Sequence, residues 1–261
     1  MATVLVAGLI AVSMSNKPAD AQEAPLAPDW EVSVTLYGWM LSLDGSASIQ
    51  GNEVDLDVPF RTIIENLDGG VMSQVDLRYG RLGGFVNGVY GRVTADERLP
   101  FGVTGLEAAA DVRITFLEFG VSYALDPLPL GASGKSSVSV APYIGGRYTD
   151  VDLKLALEGR RRDADIGFTD PIVGIRTDWW FGPNIELALR GDIGGFGVGS
   201  EFSWQVIGAA GYTFGLLAED NATAFLGYRV LGQDYTGSNG DNEEAWDVVT
   251  HGPVLGLRFK F

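Results

Sequence analysis

The stretch "HGPVLGLRFKF" (residues 251–261) decides how the rest of the chain is read. At a period of two, Pro253, Leu255, Leu257, Phe259 and Phe261 fall on one face, and Gly252, Val254, Gly256, Arg258 and Lys260 on the other. That is the side-chain period of a β-strand. An apolar row opposite a charged row is also what a soluble strand shows its core. Which apolar medium the row meets has to be read from the neighbouring sequence.

The same alternation recurs along the chain, in runs separated by turn chemistry. Ten stretches carry it: 30–42, 71–80, 82–95, 105–124, 137–153, 166–180, 184–196, 201–215, 222–236 and 246–261. In 184–196 one face reads Ile185, Leu187, Leu189, Gly191, Ile193, against Glu186, Ala188, Arg190, Asp192. In 201–215 Trp204, Val206, Ala210, Tyr212 and Phe214 oppose Ser203, Gln205 and Thr213, and in 166–180 Val173, Ile175 and Trp179 oppose Asp170, Arg176 and Asp178. A further pair, 45–50 and 52–57, hinges on Gly51-Asn52 as a small hairpin inside a long loop, and "PFRTIIENLDGG" (59–70) predicts a short helix ended by its glycines.

A soluble β-sandwich would alternate in the same way. Three features point to a bilayer instead. The runs are long enough to give an apolar band of about 25 Å. Aromatic residues gather near strand ends, among them Trp30, Tyr79, Tyr123, Trp179, Trp180, Tyr212 and Phe261, as rings at a polar–apolar boundary do. An open sheet of this size would also leave bare edges, which closure removes. The connections divide accordingly. "YGRLG" (79–83), "WFGPN" (180–184) and "LLAEDN" (216–221) are tight, and "DPLPLGASG" (126–134) is moderately short. The stretches 43–70, 96–104, 154–165 and 237–245 read as longer, polar loops, with "GFGVGS" (195–200) the exception. The expected fold is all-β: a closed antiparallel transmembrane β-barrel of about ten strands (eight or twelve if hairpins are miscounted), with a short helix in its first long loop.

Composition narrows the partners. The chain has 261 residues, with 46% hydrophobic residues, 36 Gly, and 18 Lys+Arg against 34 Asp+Glu for a net charge of −16. Such an acidic balance argues against nucleic acid. Cysteine is absent, which excludes disulfides, thiolate metal sites and thiol catalysis. "TVLVAGLIAVSM" (3–14) is apolar but too short to span as a helix. Polar residues follow it, and Ala19-Asp20-Ala21 fits a cleavage site, so 1–21 is expected to be a signal peptide and 22–261 the barrel domain. No Lys or Arg precedes Lys17, where a leader usually carries them, and a buried N-terminal helix is the alternative.

"RGDIGGFGVGSEFSWQ" (190–205), "GYRVLGQDY" (227–235), "HGPVLGL" (251–257) and "YGWMLSLDG" (37–45) resemble a family of uncharacterised, porin-like outer-membrane β-barrel proteins of proteobacteria. The resemblance covers most of 22–261. It implies a signal peptide, the bacterial outer membrane of a Gram-negative cell, and a C-terminal assembly signal in Phe261, Phe259 and Leu257 that barrel-assembly machinery would read. It assigns no substrate, catalytic residue or cofactor.

Strand parity places Asp76, Arg78, Glu118, Arg147, Asp170, Arg176, Asp178, Glu186, Arg190, Asp192, Arg229 and Arg258 inside the bore. Two readings of this set stand side by side. It is either a salt-bridged polar core that holds the wall or a constriction selecting small ions or solutes by charge. Arg190-Gly191-Asp192 is not an adhesion motif on this parity, because both charges point inward. His251, the single histidine, falls on the lipid side, and a bulge at Gly252-Pro253 would be needed to turn it inward. No partners for catalysis are nominated. The acidic stretches 237–247 and 44–57 do not fit a Ca²⁺-loop spacing, so no metal site is expected. "RRR" (160–162) reads as part of a loop, either solvated or touching lipopolysaccharide phosphates.

The functional expectation is a porin-like, non-enzymatic outer-membrane protein, passing small solutes and ions passively or closed and structural, without a cofactor. Its expected partners are outer-membrane lipids, lipopolysaccharide and the assembly machinery; its oligomeric state is open. The alternatives are an outer-membrane hydrolase of lipid or peptide, which would need His251, and a surface protein that binds through its loops.

Overall fold

The computed structural model describes residues 30–49, 52–95, 108–131, 136–157, 160–216, 219–239 and 242–261. The expected signal peptide and the expected loop 96–104 lie outside them. The elements run β1 (Trp30–Trp39), β2 (Ser42–Ile49), β3 (Asn52–Val58), α1 (Phe60–Glu65), β4 (Leu67–Tyr79), β5 (Leu82–Ala95), β6 (Ala108–Tyr123) and β7 (Leu128–Leu130). There follow β8 (Ser136–Leu157), β9 (Arg160–Phe181), β10 (Ile185–Gly195), β11 (Phe202–Leu216), β12 (Glu219–Asn239) and β13 (Asn242–Lys260).

Antiparallel pairing orders the wall β1-β4-β5-β6-β8-β9-β10-β11-β12-β13, and a β1–β13 ladder closes it, which makes ten wall strands. In that ladder Ser33 opposes Lys260 and Trp39 opposes Val254. Phe261 extends it, its amide donating to the Val32 carbonyl at 2.8 Å and its carbonyl accepting from Val32 at 3.2 Å. Each expected wall strand is found, with shifted ends. The short turns, 79–82 and 181–185 among them, share one end with Trp30 and Phe261. Gly80 (φ 59°) and Gly182 (φ 68°) allow two of those turns, at backbone angles a side chain would resist.

The wall is inverted relative to a soluble protein. Leu187, Leu189, Leu255 and Leu257 are 42%, 45%, 44% and 41% exposed. Arg147 and Arg229, on inward positions, are 0% and 1% exposed. Water would not tolerate that outer surface, whereas acyl chains do, and a closed barrel leaves no backbone group unpaired in hydrocarbon. Ion pairs on the outer face mark the upper limit of the apolar band: Arg92–Asp111 at 2.6 Å and Arg113–Asp152 at 2.7 Å. The protein is therefore a transmembrane barrel of the bacterial outer membrane, with its short turns at the periplasmic end.

Three expectations need correction. Residues 154–157, 160–165, 237–239 and 242–245 are not loops. They are the tops of β8, β9, β12 and β13, paired as far as Leu157–Arg160 and Asn239–Asn242. Arg160, Arg161 and Arg162 accordingly lie in strand β9, because pairing satisfies backbone groups that a polar loop would leave to water. The helix covers only 60–65, starting after Pro59. Gly69 and Gly70, expected to end it, instead belong to β4 and pair with β5. The interior is also not polar throughout. Above its middle it is an apolar core that includes Trp39, Leu43, Leu56, Val89, Phe116 and Trp246.

The expected 45–57 hairpin exists as β2–β3. It stays out of the barrel's closing seam, and β2 pairs with the top of β13, Ser42 opposite His251 and Ser48 opposite Ala245. Its inward residues Leu43, Ala47 and Leu56 are buried in the apolar core, and β2 reaches β9 on another part of the wall. The hairpin thus covers the extracellular mouth.

Leu255 lies six residues from Phe261, which at about 3.3 Å per residue and about 45° tilt is roughly 14 Å into the band. Leu255→Arg should therefore lower unfolding free energy in lipid vesicles by about 2–4 kcal/mol, and Phe261→Arg by no more than about 1 kcal/mol. Equal losses in urea titrations would contradict the depth assigned to the two positions.

Candidate functional site

Halfway along the bore the inward positions of five strands meet. Glu118 projects from β6, Tyr143 and Arg147 from β8, Arg190 and Asp192 from β10, Gln205 from β11 and Arg229 from β12. β6 and β12 face each other across the wall, so a bond between them spans the opening. Glu118 makes it: Oε1 accepts from Arg229 Nη2 at 2.8 Å and from Arg147 Nε at 3.0 Å. Arg190 Nη2 lies 3.1 Å from Glu118 Oε2. Asp192 accepts from Arg147 Nη2, from the Tyr143 hydroxyl at 2.5 Å and from Gln205 Nε2 at 3.0 Å. Tyr143 in turn accepts from Arg190 Nε at 2.8 Å, and Gln205 Oε1 accepts from Arg229 Nε at 2.7 Å.

Three guanidinium groups and two carboxylates are thus removed from water together, leaving one formal positive charge. Aromatic faces share part of it. Arg190 lies 4.6 Å from the Phe85 ring centre and Arg229 lies 4.4 Å from that of Trp39, where the ring quadrupole attracts a cation. Glu118 and Arg147 are fully inaccessible. Chemically, the group is a plug: every charge in it lies against an opposite one, although Glu118 Oε2, Arg147 Nη1 and Arg190 Nη2 make no hydrogen bond of good geometry.

Below the plug a vestibule of about 310 Å³ opens towards the periplasmic end. It contains a second charged tier. Arg258 holds Glu186 through both guanidinium nitrogens, and Arg176 donates to Asp76 at 2.9 Å. Asp178 lines the same space. Arg78, at the rim, is half exposed and bonds Glu31 at 2.6 Å.

The twelve parity-assigned residues therefore separate. Glu118, Arg147, Arg190, Asp192 and Arg229 form the plug. Asp76, Arg176, Asp178, Glu186, Arg258 and, at the rim, Arg78 belong to the vestibule. Asp170 is buried but serves another end: it accepts from the Ser200 amide at 2.7 Å and hydroxyl at 2.8 Å, which pins the 195–200 turn. Arg190 and Asp192 are both inward, as the rejection of an adhesion motif requires. Charge alone missed Tyr37, Tyr143, Gln205 and Asn87, which complete the network. Parity could have found Tyr143, four residues from Arg147 on the same face.

His251 stays on the outer wall. The β12–β13 register runs through Gly252 and Pro253 without a shift, so the bulge that would turn it inward is not formed. Its Nδ1 lies 2.7 Å from the Tyr228 hydroxyl and its Nε2 lies 2.6 Å from Asp44 Oδ2. Ser42, the residue opposite it, accepts the Phe60 amide at 3.0 Å.

No protein-family model matches the chain, and no curated protein matches it. Solved structures give distant likenesses. The attachment invasion locus protein Ail of Yersinia pestis is 12% identical at a TM-score of 0.37, over 90% of this chain and 100% of that one. Neisserial surface protein A is 14% identical at 0.33, over 89% and 97%. A FadL homologue of Pseudomonas aeruginosa is 11% identical at 0.31, over 89% of each chain. The fold stands on the strand ladders rather than on these.

Because one carboxylate pairs with three guanidinium groups, its removal should cost more than an ordinary core polar substitution. Glu118→Ala is expected to destabilise the barrel by about 3–5 kcal/mol, read from urea unfolding in vesicles. Arg258→Ala, in the wetter vestibule, should cost clearly less.

Proposed function

We propose that this protein is a closed outer-membrane barrel that passes neither ions nor solutes through its bore at rest. Of the porin-like expectations, this is the structural one. The observation that carries it is the cross-bore bond set of Glu118, in which both carboxylate and guanidinium groups are out of reach of solvent. A selective constriction needs charges that can bind a passing ion and release it. Here each is committed to a neighbour, and an apolar layer and the β2–β3 cover lie above.

The reading includes no enzymatic activity. Support comes from His251, whose two ring nitrogens are both engaged on the outer wall and whose cross-strand neighbour Ser42 is bonded elsewhere. It also includes membership of the porin-like proteobacterial family, carried by the motifs around Arg190, Gly227 and His251. Residues 1–21 are removed as a signal peptide, lipopolysaccharide and lipids surround the wall, and assembly machinery reads Phe261, Phe259 and Leu257.

Planar-bilayer recording of the refolded full chain is the test. The wild type should give no conductance steps, and steps of defined size would overturn the closed reading. Removing residues 42–58 together with Glu118→Ala and Arg229→Ala should open a channel, whereas either change alone should leave the bilayer silent.

A further inference from the structure

The apolar half of the bore is not filled. A cavity of about 320 Å³ lies between the covering hairpin and the wall, lined by Trp39, Leu43, Leu56, Val89, Ile114 and Trp246 among others. That volume is at the lower end of the roughly 300–1,000 Å³ of small-molecule sites. Interiors close-packed like crystals rarely leave so much space unused.

Two observations say what would enter. The first concerns polarity. Nε1 of Trp39 and Nε1 of Trp246 have no acceptor among the described residues, although the two side chains are only 3% and 4% exposed and both line the cavity. An indole N–H left unpaired in an apolar interior is costly, and such groups in native structures call for a partner. The second concerns access. The β1–β4 ladder ends at Leu36–Ser73, because above it β1 continues into β2 and stays with β13. Beyond that point Trp39 N–H meets only the Met72 sulfur, at 3.0 Å. Ile64, Leu67 and Tyr90, which are 49%, 40% and 39% exposed, also line the cavity, so it passes through the wall at this seam. Tyr90 is two residues from Arg92 of the outer ion pairs, so the opening lies at the upper edge of the lipid band.

We propose that the chamber binds a single hydrocarbon chain bearing one neutral hydrogen-bond acceptor, an ester or ketone oxygen, taken up sideways from the outer leaflet through the β1–β4 seam. The chain fills the apolar space, and Trp39 and Trp246 donate to the oxygen. A carboxylate is disfavoured because no charged side chain lines the cavity among the described residues. The proposal rests on the seam and the chamber and holds whether or not the bore conducts.

The test is calorimetric titration of the full chain in amphipol, with medium-length fatty-acid methyl ester as the probe and the free acid and the alkane of equal length as comparisons. The wild type should bind the ester saturably, and more tightly than the acid. Trp39→Phe with Trp246→Phe should weaken the ester about tenfold, the loss of a buried hydrogen bond or two, and leave the alkane unchanged. Ala47→Leu, which fills the chamber, should abolish both; Val89→Phe replaces it should that variant lose the gel mobility of a folded barrel. Absence of saturable binding to the wild type overturns the site. So does ester affinity that survives chamber filling, which would mark partition onto the outer wall. A tighter acid, or an ester indifferent to the tryptophan substitutions, overturns the neutral-acceptor assignment.

Discussion

The molecule depends on β13 having two partners on one edge. Its periplasmic half pairs with β1 and its extracellular half with β2, in a register that carries over unbroken from Trp39–Val254 to Ser42–His251. The first pairing closes the cylinder, and without it two strand edges would face hydrocarbon with unpaired amides. The second draws β2 and β3 up and over the mouth. The same continuity leaves the β1-side edge of β4 without a strand partner above Leu36–Ser73, because β3 returns along β2 rather than along β4. Closure, cover and seam thus follow from one ladder.

Enclosure then dictates what fills the bore. A narrow ten-strand wall leaves space that side chains can occupy, and this chain occupies it in two layers. At mid-height long cationic side chains reach across to shared carboxylates, and each is bonded several times over. Burying charge is costly, and the arrangement is tolerated because every charge faces an opposite one at close range. Above it, Phe116, Phe168 and Leu231 pack as in a soluble core, and the Phe168 and Tyr235 rings stack at 4.5 Å. Gln233, donating to Thr149 at 2.7 Å, is a polar contact beside this packing. A bore filled in this way resists passage by ions from below and by water from above. Among the described residues a vestibule at the periplasmic end and an apolar chamber open to the side stay accessible.

Much of this was legible in the residues. Period-two alternation located the wall strands and their lipid faces, because each strand position has only two sides and only one of them suits acyl chains. Parity likewise placed Glu118, Arg147 and Arg229 inside. It could not say that Glu118 serves three arginines while Asp170 serves Ser200, since partners on β6, β8, β10 and β12 are far apart in sequence and meet only when the sheet closes. Reading polarity as a sign of loops also failed at 154–157, 160–165, 237–239 and 242–245. Strands that rise above the membrane carry charge on their outer face at no cost in water.

What the order of amino acids determined by itself was the medium: which surface meets lipid, how many times the chain crosses, and that charge is enclosed. Those properties are local, set by alternation and by turn residues such as Gly80 and Gly182. Tertiary structure alone decided that the bore is sealed, that its upper half is apolar, and that the wall parts beside β1. Each of these depends on which strands lie opposite one another, and on β13 sharing its edge between β1 and β2. Residues that never meet along the chain carry no trace of that choice until the cylinder forms.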